Sequence, residues 1–326
     1  MAAVVIGRNE GRRLEASLRS VQDAGLPLVY VDSGSSDGSR DVARSLAVPV
    51  LDLDPARPFS AARARNEGLE AVRRRWPETD YVQFLDGDCV LDPLFPSAAM
   101  RAFEKEPDCA IITGHLSERS PNGSGYHRLC AIEWQSPAGR IDNFAALGGI
   151  MAARVAALLA VGGFDQQVIA GEDSELGVRV ALANFSVIKI DQHMAIHDAQ
   201  MHHFGEWWRR SVRAGHAFAQ RYALHGRTRF RDCRRELISA VFWGGAIPMA
   251  ILLLLWPTRG ISLVLLAGYG LLAWRVYRYY LRRGISQSDA ALAARFMVYS
   301  KFANFLGVLR YCMNRLRGQF RIIEYK

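Results

Sequence analysis

The chain has 326 residues, half of them hydrophobic, which is enough for one large folded domain or two smaller ones and typical of a globular protein. Its net charge of +9 is unevenly distributed: residues 226–326 hold 17 Lys+Arg against 4 Asp+Glu, whereas residues 1–225 hold 24 against 28. Because the basic residues flank apolar runs, they indicate a membrane surface rather than nucleic acid, and no nucleic-acid partner is expected.

Five cysteines are scattered along the chain without the spacing of a metal-binding motif. An odd number without a regular framework favours a reducing compartment. The apolar residues 4–6 are too few for the hydrophobic region of a signal peptide, so none is expected here.

Strands and helices alternate in the first half of the chain. Apolar runs bounded by turn residues predict strands at residues 2–6, 28–31, 48–53, the run that ends at Asp86, 109–115 and 186–191. Apolar residues at helical spacing, such as Leu14, Leu18 and Val21, predict helices after the first three strands. The stretch ALGGIMAARVAALLA is predicted to form a tight turn and a short helix, and a further helix begins near Glu172.

This alternation predicts an α/β fold whose parallel or mixed sheet has a ligand crevice at the carboxyl ends of its strands. No Gly-x-Gly-x-x-Gly sequence follows either early strand, so a dinucleotide-binding fold is not favoured. The predicted domains are residues 1–225, which form the α/β domain, and residues 226–326, which form a membrane-associated helical region.

The second region contains two long apolar runs, residues 238–256 and 261–274. They predict a transmembrane hairpin of residues 238–281, with arginines on both flanks facing the cytoplasm and the link outside. Residues 290–312 would form an amphipathic helix or a third membrane helix. The alternative is a helical hairpin packed inside a soluble protein.

The stretch YVQFLDGDCVLDP ends an apolar strand with Asp86 and Asp88. Two carboxylates at this spacing can chelate a hard divalent cation such as Mg²⁺ or Mn²⁺, which completes its shell with water and substrate phosphates. Asp-Gly-Asp is also ordinary turn chemistry, so this Asp-x-Asp motif predicts either a cation–diphosphate site or a solvated turn.

A second acidic pair, Glu172 and Asp173, lies at the predicted N-terminus of a helix behind a glycine. Carboxylates there interact favourably with the helix dipole, so helix capping explains the pair without catalysis. The functional alternative is a general base that takes a proton from an attacking hydroxyl. Asp32, at the end of a strand, could accept a hydrogen bond from a ribose hydroxyl or a base.

Basic and imidazole side chains supply further candidates. Arg65 could contact phosphate oxygens or lie on a solvated helix face, and His197 could bind a cation, contact phosphate or be structural. Arg209 and Arg210 precede the apolar region. They could belong to an interfacial amphipathic helix or contact an acceptor or a diphosphate.

Six motifs occur in a fixed order: VVIGRNE, VYVDSGSSDGS, ARARNEG, FLDGDCVL, GGIMAARVAALLAVGGFD and GEDSELGVR. Together, across residues 3–215, they resemble the catalytic domain of family 2 glycosyltransferases, which are inverting enzymes of the GT-A fold. The chain is similar to bacterial members whose C-terminal helices sit in or on the inner membrane. The resemblance implies a nucleotide-sugar-binding GT-A domain with a mostly parallel, mixed sheet.

The resemblance also implies roles for individual residues. The positions that would contact the nucleotide-sugar donor are Glu10, Asp32, Arg65, Asp86, Gly149, Arg209 and Arg210. Asp88, with Asp86 and His197, would hold the divalent metal, Mg²⁺ or Mn²⁺. Asp173 would be the catalytic base, with Glu172 beside it.

The chain departs from the family pattern in two places. Processive members carry Gln-x-x-Arg-Trp, whereas the corresponding residues 206–210 read EWWRR, which favours transfer of single sugars. The usual proline-containing turn after the first strand is replaced by IGRN, which loosens the assignment of nucleoside contacts there.

The function implied by the resemblance is an inverting transfer of one sugar from a nucleotide-sugar donor, with a UDP-sugar favoured. The acceptor would be lipid-linked or a glycan in cell-envelope or exopolysaccharide synthesis, at the cytoplasmic face of the bacterial inner membrane, in contact with membrane lipid. The alternatives are a processive polysaccharide synthase and a catalytically silent membrane scaffold that only binds a nucleotide-sugar.

Overall fold

A computed structural model of the protein describes residues 1–144 and 147–318. The chain forms two compact units: residues 1–119 with 134–199, and residues 120–133 with the chain from residue 200 onward. The second unit thus includes residues before 226, where the predicted helical region starts. The predicted division at that residue stays a prediction.

The first unit is built on one sheet. Its strands, in the described part of the chain, are β1 (Ala2–Gly7), β2 (Leu28–Asp32), β3 (Val50–Asp52), β4 (Tyr81–Asp86), β5 (Cys89–Leu91), β6 (Cys109–Glu118), β7 (Gly139–Arg140), β8 (Met151–Arg154) and β9 (Ser186–His197). They are arranged in the order β3-β2-β1-β4-β8-β6-β9-β5, and β7 pairs with β9.

Helices connect these strands and build the second unit. The helices of the first unit are α1 (Arg12–Asp23), α2 (Ser39–Ser45), α3 (Ala61–Arg75), α4 (Phe95–Lys105), α6 (Val155–Ala160) and α7 (Glu172–Leu182). Those of the second unit are α5 (Gly125–Glu133), α8 (Phe204–His225), α9 (Arg234–Val241), α10 (Ile247–Leu255), α11 (Ala267–Arg282) and α12 (Gln287–Leu316).

The predicted α/β fold with a mixed sheet is confirmed. β1 pairs in parallel with both β2 and β4, β6 pairs in parallel with β9, and β8 is antiparallel to both of its neighbours. The apolar stripe of α1, formed by Leu14, Leu18 and Val21, is fully buried in the core beside β1 and β2, as its helical spacing predicts.

One predicted element is wrong, and two strands are longer than predicted. Met151–Arg154 is strand β8 rather than part of a turn and helix, and the helix begins only at Val155. A short apolar run fits a strand or a helix by periodicity alone, and here pairing with β4 and β6 decides. β6 and β9 extend beyond their predicted ends, to Glu118 and His197, because they pair with each other over that length.

The second unit is held together by aromatic and charged contacts between its helices. The ring of Trp207 in α8 meets the edge of Phe296 in α12, with ring centroids 4.7 Å apart. Arg221 and Asp232 form a buried ion pair with an N–O distance of 2.7 Å. Since a buried charge is costly without its partner, this pair ties α8 to the turn before α9.

Within the described residues, one helical stretch, Arg234–Leu255, has the length and apolar composition needed to cross a membrane. It runs through α9, a π-turn and α10 over 22 residues, and only 17% of its most apolar 18-residue segment is buried. Just beyond it, the side chain of Trp256 is 92% exposed.

Candidate functional site

The carboxyl ends of three parallel strands bring two aspartates to one edge of the sheet. In the register of the sheet, Gly7 at the end of β1 pairs with Asp32 in β2, and its neighbour Ile6 pairs with Asp86 in β4. Asp32 and Asp86, which are both predicted to contact the nucleotide-sugar, therefore flank the end of β1. This is the edge at which open α/β sheets bind ligands.

Asp32 organises the turn that follows its strand. Its carboxylate is buried and accepts hydrogen bonds from the Tyr30 hydroxyl (2.9 Å) and from the backbone N–H groups of Gly34 (3.0 Å) and Ser35 (2.8 Å). The side chain thus shapes the Ser/Gly-rich loop. A direct contact of Asp32 with a nucleoside stays a prediction.

The loops after β1 and β2 are hydrogen-bonded to each other. The Asn9 side-chain oxygen accepts from the backbone N–H of Ser36 at 2.8 Å, and the Asn9 N–H donates to the Ser35 hydroxyl at 2.9 Å. Glu10, which is buried beside this turn, forms an ion pair with Arg13 at 2.7 Å. The unusual sequence after the first strand therefore still forms an ordered rim beside Asp32.

Arg65 is the central cation of the first unit. Its guanidinium is almost fully buried and donates to Glu172 Oε1 at 2.7 Å and to Asp86 Oδ1 at 2.8 Å. Burial by itself would lower the pKa of Arg65, but the charges of Asp86, Glu172 and Asp173 together raise it above its ordinary value. A permanent positive charge therefore joins the end of β4 to the start of α7.

Two glycines leave room for this arrangement. A Cβ atom at Gly149 would overlap the Nη2 atom of Arg65, so a larger residue would displace the guanidinium. A Cβ atom at Gly87, between the two aspartates, would lie 3.0 Å from Glu10 Cγ and 3.2 Å from the carbonyl oxygen of Ile6. The predicted contact of Gly149 with the donor stays a prediction, while its contact with Arg65 has a clear steric reason.

The two carboxylates at the start of α7 have different surroundings. Glu172 is buried and paired with Arg65, whereas Asp173 is partly exposed and its Oδ1 accepts from the backbone N–H of Ser174 at 2.6 Å. A carboxylate that must reach a substrate hydroxyl needs exposure. Of the pair, Asp173 is therefore the more accessible carboxylate and Glu172 is part of the internal charge network, while the role of Asp173 as a base stays a prediction.

Asp88 and His197 converge although they are distant in the sequence. Within the described residues, Asp88, Cys89 and His197 each offer one ligand atom, and these atoms lie within 4.8 Å of one another. The antiparallel pairing of β5 with β9, in which Cys89 pairs with His197, brings them together. Asp86 lies outside this group and is bonded to Arg65, so its role as a metal ligand stays a prediction.

These donors fit a divalent cation. A carboxylate oxygen and an imidazole nitrogen are common ligands of Mn²⁺ and related ions, and the second ring nitrogen of His197 is fixed, as in many metal sites. Burial would lower the pKa of His197, but the hydrogen bond to Glu118 and the charges of Asp88, Glu118 and Asp86 raise it. The negative charges near the ring would equally attract a metal cation.

Glu118, which was not predicted from the sequence, orients His197. It is buried, and its carboxylate accepts from His197 Nδ1 (3.0 Å), from the backbone N–H of Ala199 (2.7 Å) and from Trp134 Nε1 (3.3 Å). These bonds lower the pKa of Glu118 despite its burial. The position lies three residues past the predicted end of its strand, and a lone acidic residue there gives no signal in the sequence.

We expect replacement of Glu118 by alanine to weaken the binding of Mn²⁺ by about 10- to 100-fold, because His197 loses the partner that sets its orientation. Glu118→Gln, which keeps an acceptor, should recover part of this loss. Titration of free Mn²⁺ by electron paramagnetic resonance measures both. Glu70→Ala, at a side chain 46% exposed on α3, is the control. Unchanged Mn²⁺ affinity in Glu118→Ala would rule out the orienting role.

The two predicted arginines of α8 lie in the second unit. Arg210 forms an ion pair with Glu133 of α5, with an N–O distance of 2.7 Å. Arg209 lies one residue earlier on the same helix. Contacts of Arg209 and Arg210 with a donor or acceptor stay predictions.

Comparisons with known proteins agree with this fold. The model of the family described as Glycosyl transferase family 2 matches residues 3–158. The succinoglycan biosynthesis protein ExoA of Rhizobium meliloti is 27% identical over 207 residues, which cover 56% of this chain and 58% of that protein. Poly-beta-1,6-N-acetyl-D-glucosamine synthase of Staphylococcus epidermidis is 27% identical over 148 residues, which cover 43% and 34%.

Solved structures share the fold at low sequence identity. The mannosyltransferase PcManGT from Pyrobaculum calidifontis, solved with GDP-Man and Mn²⁺, has a TM-score of 0.64 at 17% identity, covering 96% of this chain and 87% of that one. Residues 1–349 of TarS from S. aureus give a TM-score of 0.52 at 12% identity, covering 98% and 92%.

The chain spans less than two thirds of the length of these curated relatives. The match to the family model includes the edge of the sheet where Asp32, Arg65 and Asp86 lie. Residues 3–158, just under half of the chain, are similar to glycosyl transferase family 2.

Proposed function

We propose that the protein is an inverting glycosyltransferase. It transfers a single sugar from a nucleotide-sugar donor to a lipid-linked or glycan acceptor in cell-envelope or exopolysaccharide synthesis. The observation that carries this proposal is the position of Asp173: a partly exposed carboxylate beside the buried Arg65–Glu172 pair, in a chain similar to family 2. The names of the relatives, a succinoglycan biosynthesis protein and a polysaccharide synthase, support the biosynthetic setting.

The chemistry requires one base and a leaving diphosphate. Asp173 takes the proton of an acceptor hydroxyl as the hydroxyl oxygen forms a bond to the anomeric carbon. The bond from that carbon to the diphosphate oxygen breaks on the opposite face. The configuration of the sugar therefore inverts. Arg65 and Asp86 would approach the ribose and diphosphate, and a divalent cation held by Asp88 and His197 would supply charge that offsets the leaving group.

The donor is proposed to be a UDP-sugar, although PcManGT, which shares the fold, was solved with GDP-Man. Asp32 and the ordered turn at Asn9 and Glu10 border the region where a base would lie. The identities of the sugar and the nucleotide are therefore the first to determine.

The acceptor class is inferred from the second unit. The exposed apolar side chains of Leu252, Leu253, Trp256 and Ile261 lie at and just beyond the end of the stretch that could cross a membrane. We infer that residues 238–281 insert into the bacterial inner membrane, that residues 290–312 span or lie on it, and that the arginine-rich flanks keep the catalytic domain in the cytoplasm. A lipid-linked acceptor would then be within reach.

A processive polysaccharide synthase is the second candidate, because one relative is a polymer synthase. Against it, the stretch EWWRR replaces the Gln-x-x-Arg-Trp sequence of processive members. In this stretch, Trp207 is buried against Phe296 and Arg210 is paired with Glu133. The length of the products made with a labelled donor distinguishes the two: single additions support the proposal, and a ladder of long products contradicts it.

The test of the function is a screen of UDP-, GDP- and dTDP-sugars with the detergent-solubilised full chain. We expect one donor to release its nucleotide in the presence of Mn²⁺ or Mg²⁺, and EDTA or the substitution Asp88→Ala to abolish the release. Asp41→Ala, at a side chain 83% exposed on α2, should leave it intact. Full release of nucleotide in EDTA would contradict the role of the cation. Binding of a nucleotide-sugar without any turnover across the panel would favour the silent scaffold.

A further inference from the structure

Cys89 lies directly beside the proposed cation site. In the antiparallel pairing of β5 with β9, Cys89 and His197 are opposite each other, so their side chains project from the same face of the sheet. The Cys89 thiol lies 3.4 Å from Asp88 Oδ1, and the ligand atoms of all three residues lie within 4.8 Å of one another. A sulfur therefore stands within reach of any cation bound between the carboxylate and the imidazole.

We propose that the Cys89 sulfur is the third protein ligand of the cation held by Asp88 and His197. The site would then offer one oxygen, one nitrogen and one sulfur atom, and it would select Co²⁺ or Zn²⁺ over Mg²⁺. The proposal rests on the proposed function only in assuming that a cation binds here. When the sulfur binds the cation, the thiol proton passes to solvent and no electrons are transferred.

The selectivity follows from the preferences of the ions. Mg²⁺ takes oxygen ligands almost exclusively and keeps several waters, whereas thiolate and imidazole ligands suit the softer first-row ions. Glu118 occupies Nδ1 of His197, so Nε2 is the ring nitrogen left for a cation. The three ligand atoms therefore differ in hardness. The sulfur ligand would add affinity for the softer first-row ions and little for Mg²⁺.

Packing alone is the competing explanation, because Cys89 is fully buried in the hydrophobic core. Cys109 shows what a purely packed thiol does in the same sheet: it is also fully buried, and its thiol donates to the carbonyl oxygen of Ile111 at 3.2 Å. Cys109 is not a member of the group of ligand atoms found among the described residues. The two cysteines therefore form a matched pair for an experiment.

The first experiment is titration of the purified full chain with Co²⁺, followed by absorption. We expect one equivalent of Co²⁺ to give the visible bands of a bound ion together with a near-ultraviolet sulfur-to-cobalt band. Cys89→Ser should lose the sulfur band and raise the Kd for Co²⁺ by at least the roughly tenfold that loss of an outer-shell partner costs, while barely changing that for Mg²⁺. Cys109→Ser should keep the band. A band that persists in Cys89→Ser, or bound Co²⁺ without the band in the unmodified chain, overturns the proposal.

A second measurement needs no variant, so it still decides if Cys89→Ser fails to fold. X-ray absorption of the Zn²⁺-loaded chain should show one sulfur neighbour at about 2.3 Å. A shell of nitrogen and oxygen alone at about 2.0–2.2 Å overturns the sulfur ligand but leaves the cation site of the proposed function standing. Failure of the unmodified chain to bind any of these ions would overturn both.

Discussion

Replacement of Asp173 by asparagine is expected to lower the rate of sugar transfer by about 10²- to 10⁴-fold, the range that a general base contributes. Asparagine has a similar shape and can still accept the 2.6 Å hydrogen bond from the Ser174 N–H, so the start of α7 should remain folded. It cannot take a proton from the acceptor hydroxyl. Initial rates with the donor found in the screen, at saturating acceptor, measure the loss.

Two comparisons make this result specific to catalysis. Binding of the nucleotide-sugar to Asp173→Asn, measured by calorimetry, should stay near that of the unmodified protein, because Arg65 and Asp86 are untouched. Asp41→Asn on α2, whose side chain is 83% exposed, should transfer sugar at the normal rate. Normal transfer by Asp173→Asn would remove it as the base and direct attention to Glu172.

Replacement of Arg65 by methionine is expected to destabilise the first unit by about 3 kcal/mol, at the low end of the cost of breaking a buried ion pair. The low end applies because the Asp86 side chain is 36% exposed and can be hydrated, whereas the Glu172 side chain is only 9% exposed. The two carboxylates would also lose the cation between them. Urea unfolding of the detergent-solubilised chain, followed by tryptophan fluorescence, measures the change.

Two further variants separate charge from packing. Glu172→Gln in the Arg65→Met background removes the uncompensated charge and should restore part of the stability. Arg74→Met on the same helix removes a side chain that is 75% exposed and pairs with Glu70 at 3.3 Å, so it should cost less than about 1 kcal/mol. Equal losses for Arg65→Met and Arg74→Met would contradict the central role of the buried guanidinium.

The roles of neighbouring carboxylates became distinct only in three dimensions. Asp86 and Asp88 are separated by one glycine, yet Asp86 bonds to Arg65 and Asp88 lies with His197. Glu172 and Asp173 are adjacent, yet one is buried in an ion pair and the other is partly exposed. Sequence spacing predicts that such groups share a region, whereas the partner of each depends on which strands and helices pack beside it.

The sequence alone predicts the alternating strands and helices of the first unit, since the apolar runs and the spacing of Leu14, Leu18 and Val21 reflect local geometry. It also predicts that Asp32 and Asp86 end parallel strands and so lie at one edge of the sheet. These features depend on short stretches of chain.

The folded sheet was needed to establish that Met151–Arg154 is a strand, that Glu118 orients His197, and that Cys89 lies opposite the same histidine. Each depends on pairing between strands that are far apart in the sequence. Hydrogen bonds between strands are not local, so a short apolar run, a lone glutamate or a buried cysteine gives no sign of its partner until the sheet is assembled.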